Sequence, residues 1–363
     1  MIQKKKFRDV FEYELLNENQ QVADLRNKLA DLYSSPFSDI LLWELYDPAL
    51  AKNGYYKLLY YEHSALKHII LFNYSAGKKR KIIVFNKEFN ISFTNIENIC
   101  KILFYEFNKL QQIVFEKIFE PTQMQGHRMI FEKTSNDVII QNLPQTMETY
   151  MKSLGSTTRK SFRNSQNRLE KDNINYKISF YEGENISREQ MNALVKFNRD
   201  KLKDMGIISC LNDTESDVMY QYASTSGFGC ICECTVDDEI ICGDFFTVIG
   251  EHAYMHFGGY DNLYHKYSIG RINLINITKY LIEKNIKHQH LLCGEQEYKF
   301  SHGGVNHDLY NLRVFRHNNI FYLKGIISGS IRNNCNTLRQ KLANNKIVYN
   351  FYRKLKFLIK SIK

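Results

Sequence analysis

Along the first third of the chain, apolar residues come in short runs bounded by polar and turn residues. "YYKLLYY", "HIILFNY" and "KIIVFNKEF" are rich in β-branched and aromatic residues and predict strands, with "SAGKKR" turning between the last two. "TNIE" has capping-box spacing at Thr94 and Glu97 and predicts a helix running to about Leu110, after which "QQIVFEKIF" returns to the strand pattern before Pro121. From near Met129 the order is clearer. "TYMKSLGSTTRKSFRNSQNRLEKDN" predicts a helix with a basic face (Arg159, Lys160, Arg163, Arg168), "YKISFYEG" a strand, and "SREQMNALVKFNRDKLKDMG" a helix capped by Ser187 and Gln190 and stopped by Gly206. A short helix follows from Asp213. "GCICECTV", "IICGDFFTVIG" and "EHAYMHFGGYD" then read as an antiparallel meander, "SIGRINLINITKYLIEKN" as a helix with Ser268 as N-cap, and "HQHLLCG" and "DLYNLRVF" as closing strands.

A chain of 363 residues is long enough for two domains at about 150 residues each, and 44% hydrophobic content makes it globular. The net charge of +10 changes the picture only once it is located. Residues 321–363 hold ten Lys and Arg and no Asp or Glu, so the rest carries 39 basic against 39 acidic groups. The main body is neutral. The tail "VYNFYRKLKFLIKSIK" interleaves basic with apolar residues, which suits an anionic membrane surface, a phosphate-bearing partner, or a terminal helix packed on its own domain.

Eight cysteines show no disulfide-framework spacing. Cys230, Cys232 and Cys234 alternate along one strand, so they would share a face. Core packing is preferred to a metal site there, because a C-x2-C spacing and a matching His/Cys pair are missing, and no metal is assigned. The N-terminus has no apolar signal region, and no window reaches roughly 18 uninterrupted apolar residues. The expected compartment is a reducing cytoplasm.

The strand ending at "GGYD", the loop, the helix opening "SIGRI" and the return strand "HQHLLCG" make a β-loop-α-β crossover. Such a unit brings the helix N-terminus close to the ends of both strands. The N–H groups of Ile269, Gly270, Arg271 and Ile272 after Ser268 would point into the gap, and Gly270 permits close approach of a phosphate; an ordinary helix cap is the plainer alternative.

This order of elements, with "TYMKSLGSTTRKSFRNSQNRLEKD", "GGYDNLYHKYSIGRINLINITKYLIEKN" and "CGEQEYKFSHGG", resembles the FemAB/CelD-like branch of the GNAT acyltransferases. In that branch a serine- and arginine-rich helix opens the domain, a G-Y-D stretch precedes a pyrophosphate-binding helix, and a G-x-x-x-Y-K stretch follows the next strand. The resemblance covers residues 145–320. It implies an α/β (α+β) GNAT fold in two tandem GNAT-like units, with a degenerate N-terminal unit at 1–130, an acyltransferase unit at 131–320 and a basic helical tail at 321–363. Two departures are visible. The family's Q/R-x-x-G-x-G/A phosphate signature is here Tyr267, Gly270 and Ile272, and "HQHLL", with His290 nearest, stands where many relatives have an acidic residue.

Acyl transfer, which the resemblance implies, needs a base for the acceptor's proton, donors for the developing oxyanion and an acid for the leaving thiolate. Glu295 or Glu297 is a candidate base and Tyr260 or Tyr298 a candidate donor to the thiolate, with Ser268, Ile269, Gly270, Arg271 and Ile272 as candidates to hold the pyrophosphate of acetyl-CoA or another acyl-CoA. His256, two residues before Gly258 and hence expected on the same strand face, is an alternative base or a satisfied, half-buried histidine. Lys299, Arg159 and Asp261 are candidates for binding substrate, Lys299 and Arg159 having a surface alternative. Asp244 interrupts an apolar strand and is expected to line the cleft or to face solvent. The implied function is acyl-CoA-dependent N- or O-acyl transfer to a glycan or cell-envelope precursor, in the cytoplasm or peripherally at the inner membrane face. The alternatives are an aminoacyl transferase using aminoacyl-tRNA, and an inactive GNAT-like module that docks on a membrane or complex.

Overall fold

The strand runs of the first third pair into a sheet in the order β1 (Lys5–Phe7), β2 (Phe11–Leu16), β3 (Tyr56–Glu62), β4 (Ala65–Ser75), β5 (Lys81–Val84), β6 (Gln112–Phe119), β13 (Val305–Phe315). The structure is a computed structural model and describes residues 4–7, 11–17, 19–46, 54–77, 80–119, 128–204, 206, 209, 211, 213–316 and 322–323. Apart from residues 322 and 323, the expected basic tail lies outside the described residues.

The described residues divide into two compact units, one of those within 1–136 together with 307–316 and 322–323, the other of those within 137–306. In the first unit, β1 to β5 run antiparallel. Helix α3 (Phe93–Glu106) then crosses over to make β6 parallel to β5, and β13 closes antiparallel on β6. This is why residues 307–316, expected in the second domain, belong to the first: Leu309 to Phe315 pair with Phe119 to Gln112. The crossover helix packs Ile96, Ile99, Ile102 and Leu103 under Leu58, Ile70, Phe72, Ile113 and Phe115. Its cap is Ser92 rather than Thr94, with the hydroxyl accepting the Asn95 N–H at 3.2 Å. Two helices near the start, α1 (Leu25–Tyr33) and α2 (Ile40–Tyr46), and the β1–β2 hairpin carry no pattern that the sequence analysis assigned.

In the second unit the order is β7 (Met129–Ile140, through residues 137–140), β12 (His288–His290), β11 (His252–Tyr260), β10 (Glu239–Ile249), β9 (Gly229–Val236), β8 (Tyr176–Glu182). The predicted meander is β9-β10-β11, and β12 is parallel to β11 through the crossover helix α8 (Ile269–Glu283). The long basic helix is broken at Leu154 and Gly155 into α4 (Met147–Ser153) and α5 (Ser156–Lys171). Helix α6 (Arg188–Asp204) has the predicted capping box: Ser187 N–H donates to Gln190 Oε1 at 2.8 Å, and Gln190 N–H to Ser187 Oγ at 3.1 Å. Helix α7 (Asp213–Thr225) follows.

Helix α8 covers one sheet face, burying Leu274, Ile277 and Leu281 with Cys230, Cys232, Phe246 and Ala253. The other face meets α6 and α7. A Cβ on Gly259 would sit 2.7 Å from Phe197, and Tyr222 packs edge-on against Phe245. The alternating cysteines are thus core residues.

Candidate active site

The parallel ladder between β11 and β12 is short. It joins His252–Tyr254 to His288–His290, while β11 continues to Tyr260. Beyond His290 the chain stays with β7, the Leu291 N–H donating to Val138 C=O and the Val138 N–H to Leu292 C=O, and then turns through left-handed Leu292 (φ 58) and Gly294 (φ 99). A wedge therefore opens between Met255–Tyr260 and Leu291–Glu297, with the start of α8 following from the far end of β11. The corresponding place in the first unit is closed: all of β5 pairs with β6, and Ser92 caps the crossover helix.

Helix α8 starts without a side-chain cap. Ser268 takes a left-handed backbone (φ 54), its hydroxyl makes no capping bond, and its carbonyl accepts the N–H groups of Arg271 (2.9 Å) and Ile272 (3.3 Å). Of the four expected donors, Arg271 and Ile272 are thus spent. Ile269 and Gly270 remain as the N–H groups of the first turn without a backbone acceptor among the described residues. A Cβ on Gly270 would lie 3.2 Å from the Tyr260 ring, so the glycine keeps the approach to this turn open. The Arg271 guanidinium donates to Ser161 Oγ of α5. Asp261 is occupied locally, accepting the Leu263 N–H at 2.9 Å at the head of the 3-10 turn Asn262–Tyr267.

Asp244 is where the wedge acquires chemistry. Its carboxylate reaches across β11 into the space left by Gly258, where a Cβ would be 1.8 Å from Oδ1. Oδ2 accepts from Asn273 Nδ2 at 2.6 Å. Burial pushes the carboxyl up to about 6; the Asn273 hydrogen bond and the Lys201 charge pull the other way. Tyr298, 43% exposed on the one-turn helix α9 (Glu297–Ser301), lies within reach of this charge; burial and the Asp244 charge push the phenol up to about 12. At neutral pH the pair is a mostly ionised carboxylate poised near its titration point and a protonated hydroxyl, a base and a donor on one wall. Helix α9 carries the Tyr-Lys pair of the G-x-x-x-Y-K stretch, and Gly294, Gly303 and Gly304 bracket the turn without interrupting it.

Of the other expected site residues, some stay at the wedge margin and others lie elsewhere or are already engaged. His256 is not on the Gly258 face. The ladder to β10 skips it between Phe245↔Phe257 and Phe246↔Met255, a β-bulge that turns its ring to the opposite side of the sheet. There Nε2 is 2.9 Å from Thr247 Oγ1, the ring stacks on Phe245 at 5.0 Å, and burial pulls it down to about 4, so it is a neutral core histidine. Lys299 is buried, and its ammonium donates to the carbonyls of Leu292 (2.9 Å) and Cys293 (2.7 Å), fixing the wedge wall. Arg159 caps α4 through the carbonyls of Leu154 and Lys152. Glu295 and Glu297 are exposed at the wedge margin. His290 is buried against Asp137, with Nδ1 2.5 Å from Oδ2, and against His252, with Nε2 2.9 Å from Nδ1. No motif in the sequence assigns a role to Asn273 or Lys201. The available signal for Asn273 was an amide one helical turn after Gly270, on the apolar face of α8.

Residues 156–300 match a family model described as an acetyltransferase (GNAT) domain. The fold is similar to that of FemX, with a TM-score of 0.59 and 9% identity over 82% of this chain and 96% of that one. It is also similar to L-PGS from Bacillus licheniformis (TM-score 0.54, 14% identity, 87% and 97% covered). A third likeness is to a conserved protein of unknown function from Bacteroides thetaiotaomicron (0.52, 12%, 83% and 99%). No curated protein sequence matches the chain. Residues 156–300 therefore match a GNAT domain model, and the fold is FemX-like. Among the described residues no helix is long and apolar enough to cross a membrane.

Proposed function

We propose that the chain is an acyl-CoA-dependent N- or O-acyltransferase of the acetyltransferase type, acting on a cell-envelope or polysaccharide precursor at the cytoplasmic side of the membrane. The observation that carries this reading is the wedge beyond Tyr254 and His290, with an uncapped glycine-bearing helix start near one end and Asp244 on its wall. The N–H groups of Ile269 and Gly270, with Arg271 beside them, fit a diphosphate, and Gly270 leaves the space that such a group needs. A bound acyl-CoA supplies the thioester carbonyl. Asp244 takes the proton of the attacking amine or hydroxyl, Tyr298 offers its hydroxyl hydrogen to developing negative charge, and Lys299 holds the Leu292–Cys293 backbone in place.

A second reading, an aminoacyl-tRNA donor as in the FemAB enzymes, is favoured by the exposed Lys160, Arg163 and Arg168 of α5. Calorimetry with acetyl-CoA, longer acyl-CoAs and charged tRNA at two salt concentrations separates the readings. Micromolar binding of a CoA ester, abolished by Gly270→Trp, is the expected result. Salt-sensitive tRNA binding without CoA binding would replace it with the second reading. Binding of neither would leave an inactive docking module.

A further inference from the structure

Three side chains form a hydrogen-bonded line from the core to the wedge, and the proposed function uses only the last. Cys232 of β9 and Asn273 of α8 are both fully buried. Cys232 Sγ is 3.1 Å from Asn273 Oδ1, and Asn273 Nδ2 is 2.6 Å from Asp244 Oδ2. The direction of the amide follows from donor and acceptor chemistry. An ionised carboxylate only accepts, so the amide nitrogen must face Asp244, which leaves the amide oxygen facing the thiol. Burial and then the Asp244 charge push the Cys232 thiol well above its ordinary value, so it keeps its hydrogen and can donate. A flipped amide would set two acceptors against each other at Asp244 and two donors at Cys232.

We propose that Asn273 is a positioning residue that holds Asp244 as an aimed carboxylate in the wedge, and that the Cys232 thiol fixes which way Asn273 points. The proposal rests on the reading of Asp244 as the base. With Oδ2 engaged by Asn273, Oδ1 is the oxygen over Gly258 and is left for the acceptor. The titratable and charged groups facing Asp244 are Cys232 from β9, Cys242 on its own strand, Lys201 from α6 and Tyr298 from α9. The two thiols and the phenol are held protonated, so the Asn273 amide and the Lys201 cation are what favour ionised Asp244 against burial.

Two readouts test this. In protein labelled with 13C at the aspartate carboxyl carbon, the Asp244 resonance is assigned by its loss in Asp244→Asn and followed through a pH titration. Asn273→Ala should raise the midpoint by about one pH unit, with Asn273→Ser as the second variant if alanine does not fold. Cys232→Ala should move the midpoint the same way by less, and Cys232→Ser, which keeps a donor, should restore it. An unmoved midpoint in folded Asn273→Ala or Asn273→Ser overturns the positioning role. A Cys232→Ser midpoint shifted as far as that of Cys232→Ala overturns the role of the thiol. The second readout is CoA release from acetyl-CoA with hydroxylamine as a surrogate amine, where Asn273→Ala should lower kcat roughly tenfold at nearly constant KM. A KM effect with kcat unchanged refutes positioning. Absence of turnover in the wild-type protein counts against the acyl-CoA reading, while the titration still decides whether Asn273 and Cys232 hold Asp244.

Discussion

Replacing Asp244 with asparagine should stabilise the second unit while removing its chemistry. The carboxyl sits at about 6 instead of an ordinary 3.8, so folding favours the protonated form. The sign follows. Between these values the folded state binds more protons than the unfolded state, so Asp244 contributes stability that is fully present below about 3.8 and is lost as pH rises through about 6. At 1.36 kcal/mol per pH unit the full gap is about 3 kcal/mol, and partial exposure to the wedge reduces this to roughly 1–2 kcal/mol at pH 8. Asp244→Asn is isosteric and can still accept from Asn273, so it removes the charge without emptying the site. The only tryptophan, Trp43, belongs to the first unit, so fluorescence would report on the wrong part of the chain. Hydrogen exchange of β10 and β11 peptides, compared between variant and wild type at each pH, reads the second unit directly and cancels intrinsic exchange rates. The variant should match wild type only below about pH 3.8, gain protection progressively from there to about pH 6 and hold that gain above it, and lose acyl transfer throughout. A difference that stays flat or shrinks as pH rises would refute the assignment of Asp244 as a strained, mostly ionised carboxylate.

Gly258→Ala should displace the Asp244 carboxylate, because the new Cβ would lie 1.8 Å from Oδ1 and 2.8 Å from the Gly243 carbonyl oxygen. A loss of about 1–3 kcal/mol in stability and at least tenfold in turnover is expected, checked by denaturation and by CoA release. Lys299→Met should cost about 1–3 kcal/mol by leaving the Leu292 and Cys293 carbonyls without their donor, and should raise hydrogen exchange selectively over residues 291–300.

Much of the second unit was legible in the sequence because its elements announce themselves locally. The Ser187–Gln190 box, the Gly250 and Asp237–Asp238 turns of the meander and the apolar stripe of α8 all act within a few residues. What stayed hidden depends on partners far away in sequence. The bulge at His256 is set by pairing with β10, so counting alternation placed that ring on the wrong face. Lys299 and Arg159 looked like substrate ligands, because nothing near them in sequence reveals that backbone carbonyls already satisfy them. Asn273 was passed over because one amide in an apolar helix has no visible purpose until Asp244 and Cys232 are placed beside it. The pairing of β13 with β6, across nearly 200 residues of sequence, has no local signature either.

The adjacent glycines of β11 act as a detent on strand register. Gly258 lies beneath the Asp244 carboxylate and Gly259 against the Phe197 backbone, two places where a Cβ does not fit, and Phe257 and Tyr260 flank the pair. Sliding the strand one residue in one direction drives the tyrosine into α6; sliding it in the other drives the phenylalanine into the carboxylate. Either slip meets a ring where only hydrogen is tolerated. The same two residues that make room for the chemistry therefore set the phase of the strand, so the wedge cannot shift by one residue without jamming.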